Sequence, residues 1–181
     1  MENRETKKRV PSVFWITGLS GSGKSTICRL LVDVLRKKGR SVVMLDGDEL
    51  RDVMGAEELH SRADRLKLAM RYARMCRMLA LQNLDVAIST ISLFKEVHEW
   101  NRQNVPGYVE IYMKVPLDEL ARRDPKKIYA RAARGELENV AGFDLPVDFP
   151  SAPDFTIAYH EGLTIEATLN HLLEKLKIDQ I

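Results

Sequence analysis

A lysine, a serine and a threonine close a run of small residues in Gly18-Leu19-Ser20-Gly21-Ser22-Gly23-Lys24-Ser25-Thr26. The spacing matches G-x-x-x-x-G-K-[ST], a pattern whose residue types suit phosphate. The glycines let successive backbone N–H groups turn toward one point, and the N-terminus of a following helix adds partial positive charge there. Lys24 can then reach the β- and γ-phosphates of a nucleotide, and the Ser25 hydroxyl can sit on Mg²⁺. Gly18, Ser20, Gly21, Ser22, Gly23, Lys24, Ser25 and Thr26 are therefore read as nucleotide-binding, and the ligands expected are ATP and Mg²⁺.

A second group of chemical interest is Asp46-Gly47-Asp48-Glu49-Leu50-Arg51. One of its two carboxylates can hold Mg²⁺ through water while the other accepts a proton from an attacking hydroxyl. A solvated turn is the bland alternative, but it suits the neighbourhood of a phosphate loop poorly. Asp85 precedes an apolar run rather than following it, so magnesium must rely on Ser25 and the Asp46/Asp48 pair. The four histidines, His60, His98, His160 and His171, show no metal-ligand spacing. Cys28 and Cys76 lack it too and read as buried free thiols of a reducing compartment. Trp15 and Trp100 lie in apolar patterns and are expected to pack. Arg71, Arg74 and Arg77 form a solvated helix face.

These residues need a scaffold that brings them together. Val13 to Thr17 is an apolar run read as a strand, and Ile27, Leu30, Leu31, Val34 and Leu35 mark one face of a helix behind the glycine loop. Gly39 caps that helix, and Ser41 to Leu45 is a second strand. A long helix is expected from about Asp64 to Gln82, a third strand over Val86 to Ile91, and a helix from about Lys95 to Asn104. Val109 to Val115 is a fourth strand, ended by Pro116, and a helix begins near Leu117. Asp124 to Pro153 is rich in charge and carries three prolines after its opening Asp-Pro, so it reads as a mobile insertion rather than core. Phe155 to Ala158 is a short last strand, and Thr164 to Leu176 is a closing helix with Thr164 as N-cap. Strands alternating with helices argue an α/β fold, a parallel sheet with helices on both faces. Ligands of such sheets bind at the carboxyl ends of the strands, where the residues above fall.

The 181 residues make a single domain, with 30% charged and 45% apolar residues. A net charge of +2 gives no case for a nucleic-acid partner. The start Met1 to Arg9 has no apolar core of a signal peptide, and no run approaches 18 consecutive apolar residues, so no membrane association and a cytoplasmic location are expected. Three function classes fit a phosphate loop: a small-molecule nucleotide kinase, a nucleotide-regulated binding module without turnover, and a polynucleotide 5′-kinase. The last would want a basic stripe, and the second would make the Asp48, Arg51 and Arg65 set incidental.

Several separated motifs also keep one spacing. Gly18 to Thr26, Asp46-Gly47-Asp48 to Arg51, Asp64-Arg65, Arg123-Asp124-Pro125-Lys126, Tyr129, Gly142, Asp144, Pro146 and Pro150 to Asp154 together resemble the adenylyl-sulfate kinase family, over roughly residues 12 to 160. The resemblance implies a P-loop NTPase-type three-layer fold with a lid over about 124–153, usually homodimeric. It implies transfer of the γ-phosphate of ATP to the ribose 3′-hydroxyl of adenylyl sulfate. It makes Asp48 the carboxylate that orients or deprotonates that hydroxyl, with Ser25 and Asp48 toward the metal and Lys24 and Lys126 among the catalytic residues. Arg51 and Arg65 become arginines for the substrate's phosphate and sulfate, as suits a dianion that needs cations able to bond in two places. Arg123 falls with the nucleotide-binding residues, and Asp46, His60, Ser92, Lys126 and Val140 with the substrate site. Arg71 matches a family arginine that points at the substrate.

The departures fall in one place. His60 and Val140 stand where the family holds the substrate adenine between two phenylalanines. Leu68 replaces an asparagine, Leu93 a proline after Ser92, and Val147 a tyrosine. An intact donor half beside an altered base-holding half also suits a relative acting on another nucleotide, such as a cytidine-diphosphoramidate kinase.

Overall fold

The computed structural model describes residues 10–56 and 61–178. Five strands form one parallel sheet in the order β2-β3-β1-β4-β5: β1 (Val13–Thr17), β2 (Val42–Asp46), β3 (Asp85–Thr90), β4 (Tyr108–Lys114) and β5 (Phe155–Ala158). Every residue of β1 and β3 is buried, because both strands lie inside the sheet and are covered on both faces. Alternation along β1 splits the core in two. Val13 and Trp15 face α3 (Arg62–Ala80) and α4 (Lys95–Asn104), through Leu68, Tyr72, Cys76 and Val97. Phe14 and Ile16 face α1 (Lys24–Lys37) and α7 (Ile165–Lys175), through Ile27, Leu31, Leu35 and Leu172. Cys28 and Cys76 are buried free thiols, one in each cluster.

The register sets the site. Thr17 is level with Thr90, and Asp46 with Ser89, so β1, β2 and β3 end side by side. The phosphate loop, the Asp46 to Arg51 stretch and Ser92 leave the sheet at that edge.

Two short helices are additional to the sequence reading. The stretch after β2 is not a turn but a helix, α2 (Gly47–Val53), capped by the Asp46 carboxylate, which accepts the Asp48 N–H at 2.9 Å. The segment expected as a mobile insertion carries a helix as well. After α5 (Leu117–Arg123) comes α6 (Ile128–Ala133), and Tyr129, Val140 and Ala141 are buried in a third apolar cluster with Leu19, Leu93 and Leu120. Its apolar residues are spaced singly among charges, so they show no helical or strand period. Thr164 does cap α7, its hydroxyl accepting the Ala167 N–H at 3.1 Å. Among the described residues no helix is long and apolar enough to cross a membrane.

Candidate active site

The phosphate loop joins β1 to α1. Gly18 has φ +149, and a Cβ there would stand 2.7 Å from the Met113 carbonyl and 2.9 Å from Ser22 Oγ, so only glycine fits. Lys24 is buried and donates from Nζ to the Leu19 carbonyl at 2.6 Å. Burial pulls its pKa down to about 8, with nearby Asp48 opposing the shift. A charged group held this way is poised to exchange a carbonyl for a phosphate oxygen.

Of the Asp46/Asp48 pair read beside Ser25 as the magnesium site, it is Asp46 that the Ser25 hydroxyl meets, not Asp48. The hydroxyl donates to Asp46 Oδ2 at 2.7 Å, and Ser89 Oγ donates to the same oxygen at 2.7 Å. Burial raises the Asp46 pKa, but the donations from Ser25, Ser89 and the Asp48 N–H outweigh it and hold the carboxylate below its usual range. Ser89 was not among the predicted residues. Its only signal is one place before the end of a strand beside β2. Asp48 lies one helical step further and pairs with Lys126 Nζ from the lid, both side chains mostly solvent-exposed.

One cavity of about 600 Å³ spans these groups. Ser20, Gly21, Gly23, Lys24, Ser25 and Thr26 of the phosphate loop line it, as do Asp46, Asp48 and Lys126. Arg51 and Arg65 line it too, near enough for their charges to interact. Burial lowers the Arg65 pKa, Arg51 lowers it further, and Asp144 works against both. Two guanidinium groups on one cavity can each bond an anion in two places. The lining also includes Leu68, Leu93, Val140 and Val147, the rings of Tyr72 and Phe94, and Ser92. Ser92 takes φ +27 and its hydroxyl is 2.7 Å from Thr90 Oγ1. His60 lies outside the described residues. Arg71 is exposed on α3 and does not line the cavity.

Arg123 stands apart from this cavity. It opens on a smaller cleft with Gly23, Thr26 and Tyr159 on the other side of the phosphate loop. Its guanidinium lies 4.7 Å from the Tyr159 ring centroid and donates to Glu119 at 2.7 Å. Tyr129, quoted in the motif without a role, donates its hydroxyl to the Ser20 carbonyl at 3.0 Å and so ties the lid to the phosphate loop. Tyr72 also lines the cavity and escaped the sequence reading, since an aromatic at helical spacing reads as core.

Parallel strands that feed a phosphate loop, under a lid that carries a lysine to its mouth, define a P-loop kinase. The family model for adenylylsulphate kinase matches residues 10–158, and the chain belongs to that family. It is 38% identical over 169 residues to a probable adenylyl-sulfate kinase of Aeropyrum pernix, covering 91% of this chain and 92% of that one. It is 36% identical over 171 residues to the cytidine diphosphoramidate kinase of Campylobacter jejuni, covering 94% and 99%. Among solved structures it is similar to the Mycobacterium tuberculosis APS kinase CysC in complex with AMPPNP and APS. The TM-score is 0.83 at 32% identity, over 92% of this chain and 98% of that one.

Proposed function

We propose that this kinase transfers the γ-phosphoryl group of ATP to the ribose 3′-hydroxyl of adenylyl sulfate, giving 3′-phosphoadenylyl sulfate and ADP. The observation that carries the reading is that one cavity is lined by the phosphate loop, by Asp48 paired with Lys126, and by Arg51 and Arg65. Asp48 accepts the hydroxyl proton as the O3′–Pγ bond forms and the bond from Pγ to the β-phosphate oxygen breaks. Lys24 and Lys126 balance charge on the phosphates, and Arg51 and Arg65 hold the acceptor's anionic end. Ser92 borders the acceptor without taking the phosphoryl group.

Ser25 Oγ and Asp46 Oδ2, 2.7 Å apart on the rim, are hard oxygen donors that suit Mg²⁺, with phosphate oxygens and water completing the shell. They would hold it, with Asp48 close by, and it would offset negative charge on the β- and γ-phosphates. The Arg123 and Tyr159 cleft suits the adenine of ATP, since a ring can stack on either face. We read the protein as a homodimer, as the family resemblance implies, and, from its net charge of +2 and its lack of long apolar runs, as cytoplasmic with no nucleic-acid or membrane partner. Light scattering in solution checks the oligomeric state.

His60 and Val140, at the positions of the family's two phenylalanines, favour a second reading, a cytidine-diphosphate derivative as acceptor. Base stacking on an aromatic ring is worth about 1–3 kcal/mol, and Val140 has no ring to offer. The test is an acceptor screen with ATP and Mg²⁺, reading 3′-phosphorylated product by mass. Micromolar KM for adenylyl sulfate with cytidine nucleotides ignored establishes the first reading, and the reverse preference the second. No ADP release with any nucleotide acceptor sinks both. The double change His60→Phe, Val140→Phe is expected to improve use of adenylyl sulfate.

A further inference from the structure

Leu19 is the second residue of the phosphate loop, yet its side chain does not line the cavity. It is 6% exposed and lies in one apolar cluster with Leu93, Leu120, Tyr129, Val140 and Ala141. Three of those neighbours, Leu93, Val140 and Ala141, are themselves the wall. Leu19 therefore stands between the donor loop and the surface that faces the acceptor's base.

The turn on its far side is closed and stiff. Gly142 has φ +79, and a Cβ there would fall 2.7 Å from Leu19 Cδ2 and 2.9 Å from Cδ1. The backbone of Gly142 is thus seated directly on the leucine methyl groups. The Val140 carbonyl accepts from the N–H groups of Phe143, Asp144 and Leu145, at 3.0, 3.2 and 3.1 Å. The Asp144 carboxylate accepts from Asn139 at 2.7 Å and from Val140. A turn bonded this fully moves as one body.

The other end of Leu19 holds Lys24, through the carbonyl contact at 2.6 Å. That lysine has two alternative partners, the Leu19 carbonyl or an incoming phosphate, and the exchange changes what the loop residue must satisfy. We propose that Leu19 is a positioning residue: filling the donor site moves it, and its side chain sets the Val140–Ala141 wall for the acceptor. Naming that wall as the acceptor's rests on the kinase reading above, whereas the mechanical link does not.

The test is hydrogen exchange on the full chain, with and without AMPPNP and Mg²⁺. In the wild type, residues 139–147 are expected to exchange about threefold or more slowly once the analogue is bound. Leu19→Ala should bind AMPPNP within about threefold of wild type and protect residues 20–26, but lose the gain at 139–147. Leu19→Met keeps the gain, and Gly142→Ala, approached from the other side of the contact, loses it. In turnover with adenylyl sulfate or CDP as probe acceptors, Leu19→Ala should raise the acceptor KM about tenfold with the ATP KM little changed. The proposal is overturned if Leu19→Ala keeps the gain at 139–147, or if the wild type shows none. It is also overturned if Leu19→Ala no longer binds AMPPNP, since Leu19 would then belong to the phosphate-binding machinery. A wild type that shows the gain but phosphorylates no nucleotide would sink the kinase reading and leave the link standing.

Discussion

Lys24 is a cation kept inside the loop that uses it, and its chemistry should be visible in pH. Burial lowers its pKa to about 8, so the free protein holds the ammonium below that value and loses it above. Bound phosphate favours the ammonium, so above pH 8 ATP binding must take up a proton. ATP affinity is expected to fall as pH rises from 8 to 10, by up to about tenfold per unit, and calorimetry in buffers of different ionisation heat reads the proton directly. Lys24→Met should abolish that slope, and Lys24→Ala should abolish turnover. The sign for the empty fold is opposite. Its lysine lies below the unfolded value of 10.5, so the cost of burying charge is full below pH 8 and is relieved between 8 and 10.5. Asp48 is the second residue with a predicted kinetic signature. Asp48→Asn should lower kcat by about two decades or more with ATP binding retained. An unchanged kcat would remove Asp48 from proton transfer and turn attention to Asp46.

At the scale of elements, α2 and α6 are 7 and 6 residues long, too short to persist on propensity alone. Both depend on a carboxylate at the N-terminal end. Asp46 caps α2 while also receiving Ser25 and Ser89, so the same oxygen pair shapes the helix and the phosphate site. Asp124 accepts from three backbone N–H groups at the start of α6, those of Ile128 at 2.8 Å, Tyr129 at 3.3 Å and Ala130 at 2.8 Å. The cap offsets the strain of Lys127, which enters the helix at φ +53. Asp124→Ala should therefore fray α6, loosen Tyr129 from Ser20, and raise the ATP KM by about three- to tenfold. Faster hydrogen exchange over 128–133 is the structural readout. Unchanged exchange there would mean that lid packing alone holds the helix.

At the scale of the molecule, the two ends of the sheet divide the work. The carboxyl end carries the site, and the opposite end carries a buried ion pair. Asp85 is fully buried, accepts from Arg40 Nε and Nη2, each at 2.8 Å, and accepts the Ser12 N–H at 2.7 Å. Asp85→Ala would leave Arg40 without its anion at a side-chain exposure of 9%, at a cost of about 3–5 kcal/mol. Thermal unfolding should show a large drop in Tm, while the fraction still folded binds ATP with wild-type affinity. An altered ATP affinity in the folded fraction would mean that this end of the sheet reaches the phosphate loop.

The phosphate loop and the succession of strands and longer helices are legible in the chain, because each is a local pattern with a local cause, whereas the roles of Arg51 and Arg65 come from the resemblance of separated motifs. Glycines that must reach positive φ, strands that read as apolar runs and a helix with one apolar face all declare themselves within ten or twenty residues. What sits against what was not local. Only the register of β2 on β3 brings Ser89 and Ser25 to one Asp46 oxygen and leaves Asp48 to Lys126, 78 positions away. Only the packing of the lid on the phosphate loop turns scattered Leu19, Tyr129, Val140 and Ala141 into a shared core, since residues far apart in sequence show no period when they come from different elements. The chain by itself determined the chemistry available, a phosphate loop with carboxylates and arginines beyond it. The tertiary structure decided which carboxylate meets which partner, because that choice depends on strand register and lid packing.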